Sequence, residues 1–320
     1  MPSRTASHPV GRNERCGRIA LVLQGGGALG AYQAGVYQAL QEAGLEPDWV
    51  SGVSIGAING AIIAGNSPAL RVQRLRTFWE RITERKIWNY TPDGDVFRRT
   101  RNAASSWLTI LHGQPSPWLS FPGARTATSY YDSAPLRETL LELVDFSLIN
   151  RKETPLAVGA VNVLDGNFAY FDNALDTIEP AHVMASGALP RDIQDVMARH
   201  KDIVYSSRTR YNTDVYRRIH TWKTRLRDAL QKVPADRLTD EERRLKDELA
   251  DLPEIAILQL IYQQKSYEGH AKDYEFSGTS MREHWTSGYE DTMRTLKHRH
   301  WIAMPPEGDG IVVHDVHREE

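Results

Sequence analysis

The stretch Trp49-Val50-Ser51-Gly52-Val53-Ser54-Ile55-Gly56-Ala57 decides the fold. Its first five residues are short and β-prone. The next ten, Ile55–Ala64, are apolar or small and close on Gly65. Ser54 stands at the junction, inside Gly52-x-Ser54-x-Gly56. A strand that turns directly into a helix leaves no room for Cβ atoms two residues either side of the turn, and glycine meets that demand. The pattern predicts a strand over Trp49–Val53, a sharp turn at Ser54 and a helix from Ile55.

The same unit precedes it. Arg18-Ile-Ala-Leu-Val-Leu-Gln24 is a short apolar run that ends in Gly25-Gly26-Gly27, as a buried strand of an α/β sheet does. Tyr32, Val36, Tyr37 and Leu40 then recur at helical spacing, and Gly44 stands at a helix C-terminus. Two strand–turn–helix units in succession favour a parallel sheet flanked by helices. Downstream, helices are expected over 71–88 and Pro135–Val144. Between them, 91–130 carry prolines, glycines and tryptophans and read as a surface excursion or a lipid-facing flap. Leu156–Val163 and Phe168–Asp172 enclose Asp165-Gly166, a hairpin signal. From Arg191 charged residues dominate, and Thr239–Leu252 reads as a solvated helix with Glu242 four residues before Lys246. A further strand is expected within Ile255–Tyr262 and a helix around Glu290–His298. The expected organisation is a leader over 1–17, an α/β core over 18–190 and a mostly helical, polar C-terminal region over 191–320.

Composition narrows the function classes. The chain has 320 residues, 41% hydrophobic and 25% charged, with net charge −2, a balance that does not mark a nucleic-acid binder. Cys16 is the single cysteine, so neither an internal disulfide nor a cysteine-based metal site is expected. Residues 1–17 are polar and arginine-bearing without an apolar segment, unlike a secretory signal. The longest apolar runs, Ile19–Leu23 and Ala57–Ala64, are too short to span a bilayer. The expected location is cytoplasmic, with any membrane contact peripheral.

The chemistry centres on Ser54. A serine hydroxyl is a weak nucleophile until it is exposed, deprotonated in the transition state and faced with donors for the oxyanion it creates. The elbow Gly52, Ile55 and Gly56 would present it, and the helix behind would aim free N–H groups at the developing charge. Gly25, Gly26 and Gly27, at the end of the preceding strand, would let backbone N–H groups approach as an oxyanion loop. Gly25-x-Gly27-x-x-Gly30 also matches the dinucleotide fingerprint. Against that reading, the second strand ends in a serine elbow, and Asp48 precedes the strand instead of ending it. No cofactor and no metal is expected. Among the eleven histidines, His182 lies nearest a motif as a substitute base. His298, His300, His314 and His317 read as a solvated tail, and Arg208 and Arg210 as a helix surface before a lipid-phosphate site.

Gln24-Gly-Gly-Gly-Ala-Leu-Gly30, Gly52-Val-Ser-Ile-Gly-Ala57 and Ala185-Ser-Gly-Ala-Leu-Pro190 occur in an order that resembles the patatin-like phospholipases. Tyr205–Arg210 and the stretch Ser266–Tyr289 resemble a bacterial branch of that family. The resemblance covers most of the chain from about residue 18. It implies a serine–aspartate dyad that hydrolyses lipid acyl esters, with Ser54 as nucleophile and the glycines at 25–27 as oxyanion loop. Leu29 stands where plant members more often carry Arg or Lys. The family's acid lies in an Asp-Gly-Gly or Asp-Gly-Ala motif shortly after the segment resembling 185–190. Here Pro190 runs into Arg191-Asp192-Ile193-Gln194-Asp195. The Asp-Gly pairs at 93, 165 and 309 lack the third small residue. The dyad acid is therefore unassigned, and a family segment between Pro190 and Arg191 is expected to be missing. Three functions follow: a serine lipid acyl hydrolase acting through an acyl-enzyme on Ser54, an inactive relative that binds lipid or a partner, and an α/β-hydrolase with a histidine-containing triad.

Overall fold

A computed structural model describes residues 17–83, 134–161, 168–186, 208–263 and 276–317. The expected leader, the flap at 91–130, the Asp165-Gly166 turn and the Pro190–Arg191 junction lie outside these residues.

The chain divides into two compact units. In the first, β1 (Ala20–Leu23), β2 (Trp49–Val53), β3 (Leu156–Val161) and β4 (Phe168–Asp172) form a sheet in that order. β1–β2 and β2–β3 are parallel, and β3–β4 is antiparallel with Gly159 opposite Tyr170. The strands predicted around Asp165-Gly166 thus pair as hairpin arms do. In the parallel part, Leu23 lies opposite Gly52, which brings the end of β1 beside the elbow.

Helices α1 (Gly30–Glu42), α2 (Ile55–Ala64), α3 (Pro68–Thr83), α4 (Ala134–Leu143), α5 (Phe146–Asn150) and α6 (Pro180–Ser186) surround this sheet. All ten residues of α2 are buried. A helix without a polar face has to lie inside a core, and the small side chains of α2 let it do so. Ile58, Ile62 and Ile63 pack there with Leu23, Val50, Leu75, Phe78, Leu140 and Leu156.

One ionic network ties these layers. Arg71 on α3 is buried and donates to Glu46 (2.8 Å), to the Asn66 carbonyl (3.0 Å) and to Thr154 Oγ1 (2.9 Å). Tyr37 on α1, also buried, donates its hydroxyl to the same Glu46 carboxylate at 2.8 Å. A charge taken out of water needs such partners on every side.

The first unit also takes in residues far along the chain. Helix α9 (Gly278–Thr295) belongs to it through Thr292. It begins twelve residues earlier than the sequence reading placed it. Ser277 explains the start, its hydroxyl accepting from the Ser280 N–H at 3.2 Å as an N-cap. Helix α9 crosses α1 at two facing glycines. A Cβ on Gly35 would stand 1.9 Å from the Trp285 carbonyl oxygen, and one on Gly288 2.0 Å from that of Tyr32. Around this crossing Trp285 donates to Gln38 (2.7 Å) and Tyr289 to Glu42 (2.7 Å).

The second unit contains α7 (Arg208–Gln231), α8 (Asp240–Glu248), β5 (Ile255–Leu258), α10 (Arg299–Ile302) and β6 (Ile311–His314). Thr239 and Glu242 form a reciprocal capping box at the start of α8. The strand expected after Ile255 is present and pairs in parallel with β6. Residues 298–317 form α10 and β6 instead of the tail expected from their histidines, although His298 and His300 are exposed as expected. Trp301 is buried between the His298 ring (4.1 Å) and the His314 ring (4.8 Å), both nearly parallel to it. Aromatic area at this site outweighs the polarity of the flanking imidazoles. Asp309 closes a turn by donating its N–H to the Pro306 carbonyl (3.1 Å), and Gly310 follows at φ +67°.

Candidate active site

Ser54 occupies the corner between β2 and α2, at φ 57° and ψ −126°. A non-glycine residue there is strained by roughly 1–3 kcal/mol, and the surroundings show what holds it. A Cβ on Gly52 would lie 2.2 Å from the Gly56 carbonyl oxygen, and one on Gly56 would lie 2.2 Å from the Leu23 carbonyl oxygen. Both neighbours are backbone. The elbow therefore closes on itself and on the end of β1 at distances that only hydrogen atoms fit. Ser54 also serves as the N-cap residue of α2, its carbonyl accepting from Ala57 N–H (2.9 Å) and Ile58 N–H (3.3 Å). Ile55 opens the helix and is buried.

The glycine loop lies against the serine. A Cβ on Gly25 would be 3.3 Å from Ser54 Cβ and 3.9 Å from Ser54 Oγ. Gly26 accepts from Leu29 N–H at 3.0 Å, and Gly27 takes φ +52° as a short 3₁₀ turn over Gly27–Leu29 leads into α1. Gly25, Gly26 and Gly27 and the elbow are thus brought together, although 25 residues separate them along the chain. Two helix N-termini, those of α1 and α2, start within this corner, and each brings the positive end of a dipole.

A buried asparagine, not singled out by the sequence reading, holds the two halves in register. Asn59 is completely buried on α2. Its Nδ2 donates to the Gly30 carbonyl (2.9 Å) and to Gln33 Oε1 (3.0 Å), and its Oδ1 accepts from Trp79 Nε1 (3.1 Å). Gln33 in turn donates to the Gln24 carbonyl at 2.6 Å. A polar residue inside an otherwise apolar small-residue helix was the available signal, since such a side chain must be satisfied when buried.

His284 was also missed. It is buried on α9 with Nδ1 3.3 Å from the Ala28 carbonyl oxygen, directly behind the glycine loop. Tyr262 packs edge-on against it (4.8 Å) and against Tyr32 (5.7 Å), whose hydroxyl donates to Asp291 at 2.9 Å. His182, weighed as a substitute base, instead accepts from the Glu179 N–H (3.0 Å) and lies against Phe171 (4.4 Å). Among the described residues no group of three or more His, Cys, Asp or Glu side chains could hold a metal ion.

Three kinds of similarity accompany this geometry. A family model described as Patatin phospholipase matches residues 203–308. Lysophospholipase nte1 of Aspergillus terreus is 42% identical over 80 residues, 24% of this chain and 5% of that protein. The patatin-like phospholipase domain-containing protein 6 of Mus musculus is 48% identical over 61 residues, 19% of this chain and 4% of that protein. The aligned segments are thus about one-twentieth of these relatives' length. Among solved structures, VipD from Legionella pneumophila aligns over 54% of this chain and 42% of its own at 18% identity, with a TM-score of 0.29.

Proposed function

We propose that this chain, which is similar in part to patatin phospholipases, is a serine hydrolase of lipid carboxylic esters that acts through an acyl-enzyme on Ser54. The observation that carries the reading is the elbow itself. Ser54 is held at a strained positive φ, with Gly25 pressed against its side chain.

The steps follow from that placement. Ser54 Oγ attacks the ester carbonyl carbon while a base takes its proton, and the carbonyl oxygen becomes an oxyanion. Backbone N–H groups of the Gly25–Gly27 loop and of the α2 N-terminus stabilise that charge without reorganising. The tetrahedral intermediate collapses, the alcohol leaves with a proton, and the acyl group remains on Ser54. Water then repeats the sequence on the acyl-enzyme and releases the fatty acid. Asn59 fixes the spacing between loop and elbow and is a positioning residue. The region where the family's acid motif is expected, after Pro190, lies outside the described residues, and the base carries no assignment.

No helix of the described residues is long and apolar enough to cross a membrane. A catalytically impaired, lipid- or partner-binding relative is the second reading, favoured by the sequence alone because no Asp-Gly-Gly or Asp-Gly-Ala follows Pro190.

Labelling with a fluorophosphonate probe, mapped by mass spectrometry against Ser54→Ala, decides between the two. Adduct confined to Ser54 is expected. A folded wild-type chain that takes up no label would remove the hydrolase reading and leave the binding one.

A further inference from the structure

Between Thr213 and Leu226, helix α7 is packed largely the wrong way round for a helix of a soluble core. Its half-buried side is polar. Thr213 accepts from Gln259 (3.0 Å), and His220 shares a hydrogen bond with the Pro253 carbonyl (3.0 Å). Thr224 lies on this same side. Of its apolar side chains, Leu230 is buried with Leu238 and Leu249 and Val215 is half-buried, but four large ones point outward. Tyr216 is 66% exposed, Trp222 62%, Ile219 46% and Leu226 42%. At 100° per residue these four fall within an arc of about 120° on one face, which also holds the exposed Lys223. Scattered exposed apolar residues are ordinary, but a contiguous stripe on one helix marks an interaction surface.

The charge around that stripe identifies the partner. The helix carries seven Lys or Arg against two Asp, in a chain whose net charge is −2. Arg218 and Arg225 border the apolar arc, and the Arg225 guanidinium lies over the Trp222 ring at 5.4 Å from its centroid. A depression of about 460 Å³ opens on this border, lined by Asp214, Arg217, Arg218, Thr221, Trp222 and Arg225. Aromatic and aliphatic side chains on one face, flanked by arginines whose stems are apolar and whose heads are cationic, match the layering of a bilayer surface. The rings and Leu226 reach the acyl boundary while the guanidinium groups meet phosphate and carboxylate headgroups.

We propose that α7 is an interfacial helix that docks the protein on anionic phospholipid surfaces. The proposal concerns binding alone and does not depend on Ser54 being reactive.

The test is co-sedimentation of the full chain with phosphatidylcholine vesicles and with equimolar phosphatidylcholine–phosphatidylserine vesicles. Wild type is expected to sediment with the anionic vesicles and to be released by salt. Arg218→Glu with Arg225→Glu is expected to weaken partition about thirty-fold or more, each lost cation contributing about fivefold. Ile219→Ser with Trp222→Ser is expected to weaken it about tenfold. These side chains are exposed, so circular dichroism of the variants should match wild type. Ser54→Ala should bind as wild type does, which separates this result from any failure of the hydrolase reading. Binding that the α7 variants leave unchanged, equal binding to neutral vesicles, or no binding to either would overturn the proposal. So would concentration-dependent self-association abolished by the same variants, which would make the stripe a contact between copies of the chain.

Discussion

Gly56→Ala should loosen the candidate active-site corner by forcing the elbow away from the end of β1. The new Cβ would lie 2.2 Å from the Leu23 carbonyl oxygen, 2.6 Å from its carbon and 2.9 Å from the Gln24 carbonyl oxygen. All three are backbone atoms, so no side-chain rotation relieves the overlap. Ordinary contact begins at 3.4 Å, and the elbow and the end of β1 must therefore separate by about 1 Å. Overpacking of this kind costs about 1–3 kcal/mol of stability. The displaced segment runs straight into Gly25–Gly27, so the proposed oxyanion donors move with it. A misplacement of about 1 Å at a reacting centre costs about 100-fold in rate. The assay is the pseudo-first-order rate of fluorophosphonate labelling at Ser54, with the urea midpoint measured in parallel. A labelling rate within about threefold of wild type, together with an unchanged midpoint, would show that the elbow does not press on β1 as described. The midpoint tests the packing even in a chain whose serine is unreactive.

Four further outcomes are expected. Asn59→Leu keeps the branched heavy-atom skeleton but strands the Trp79 N–H and the Gly30 carbonyl, so urea unfolding should show a loss of about 3 kcal/mol; a loss below about 1 kcal/mol would mean these groups find other partners. Ser54→Gly should be about 1 kcal/mol more stable than Ser54→Ala, because glycine accepts φ 57° without strain, and equal midpoints would remove the strain argument. Gly35→Leu places a side chain where the Trp285 carbonyl sits and should detach α9 from α1, read as new hydrogen exchange across Ser280–Thr292; protection equal to wild type would contradict the crossing. Burial, with the Glu46 carboxylate adding to it and Arg71 opposing, holds the Tyr37 hydroxyl well above the usual tyrosine range. Its contribution is complete below the unfolded value near about pH 10 and is lost as pH rises, because the unfolded tyrosine ionises first. Stability of wild type should therefore fall more steeply than that of Tyr37→Phe between about pH 9 and about pH 11, and parallel slopes would refute the burial argument.

The sequence by itself determined the corner. The strand Trp49–Val53, the turn at Ser54 and the helix Ile55–Ala64 are all present as predicted, because a strand-to-helix elbow makes demands on φ, ψ and Cβ that one residue type satisfies at each position. The glycine loop was legible for the same reason, and so was the strand run before it. What the tertiary structure decided concerns pairs of residues distant along the chain. That Gly25 abuts Ser54 follows from the register of β1 on β2, which no local pattern encodes. Asn59 reads as an interruption of an apolar helix until Gly30 and Trp79 appear beside it. His284 and Asp291 sit in a segment whose periodicity gave only the end of a helix, and their place near α1 depends on Gly35 and Gly288 meeting across about 250 residues. Trp301 stacks on the rings of exposed His298 and half-buried His314, a pairing that no local pattern encodes. Local steric rules leave a mark on each residue, whereas long-range packing chooses among many compatible partners and leaves its mark only in the folded chain.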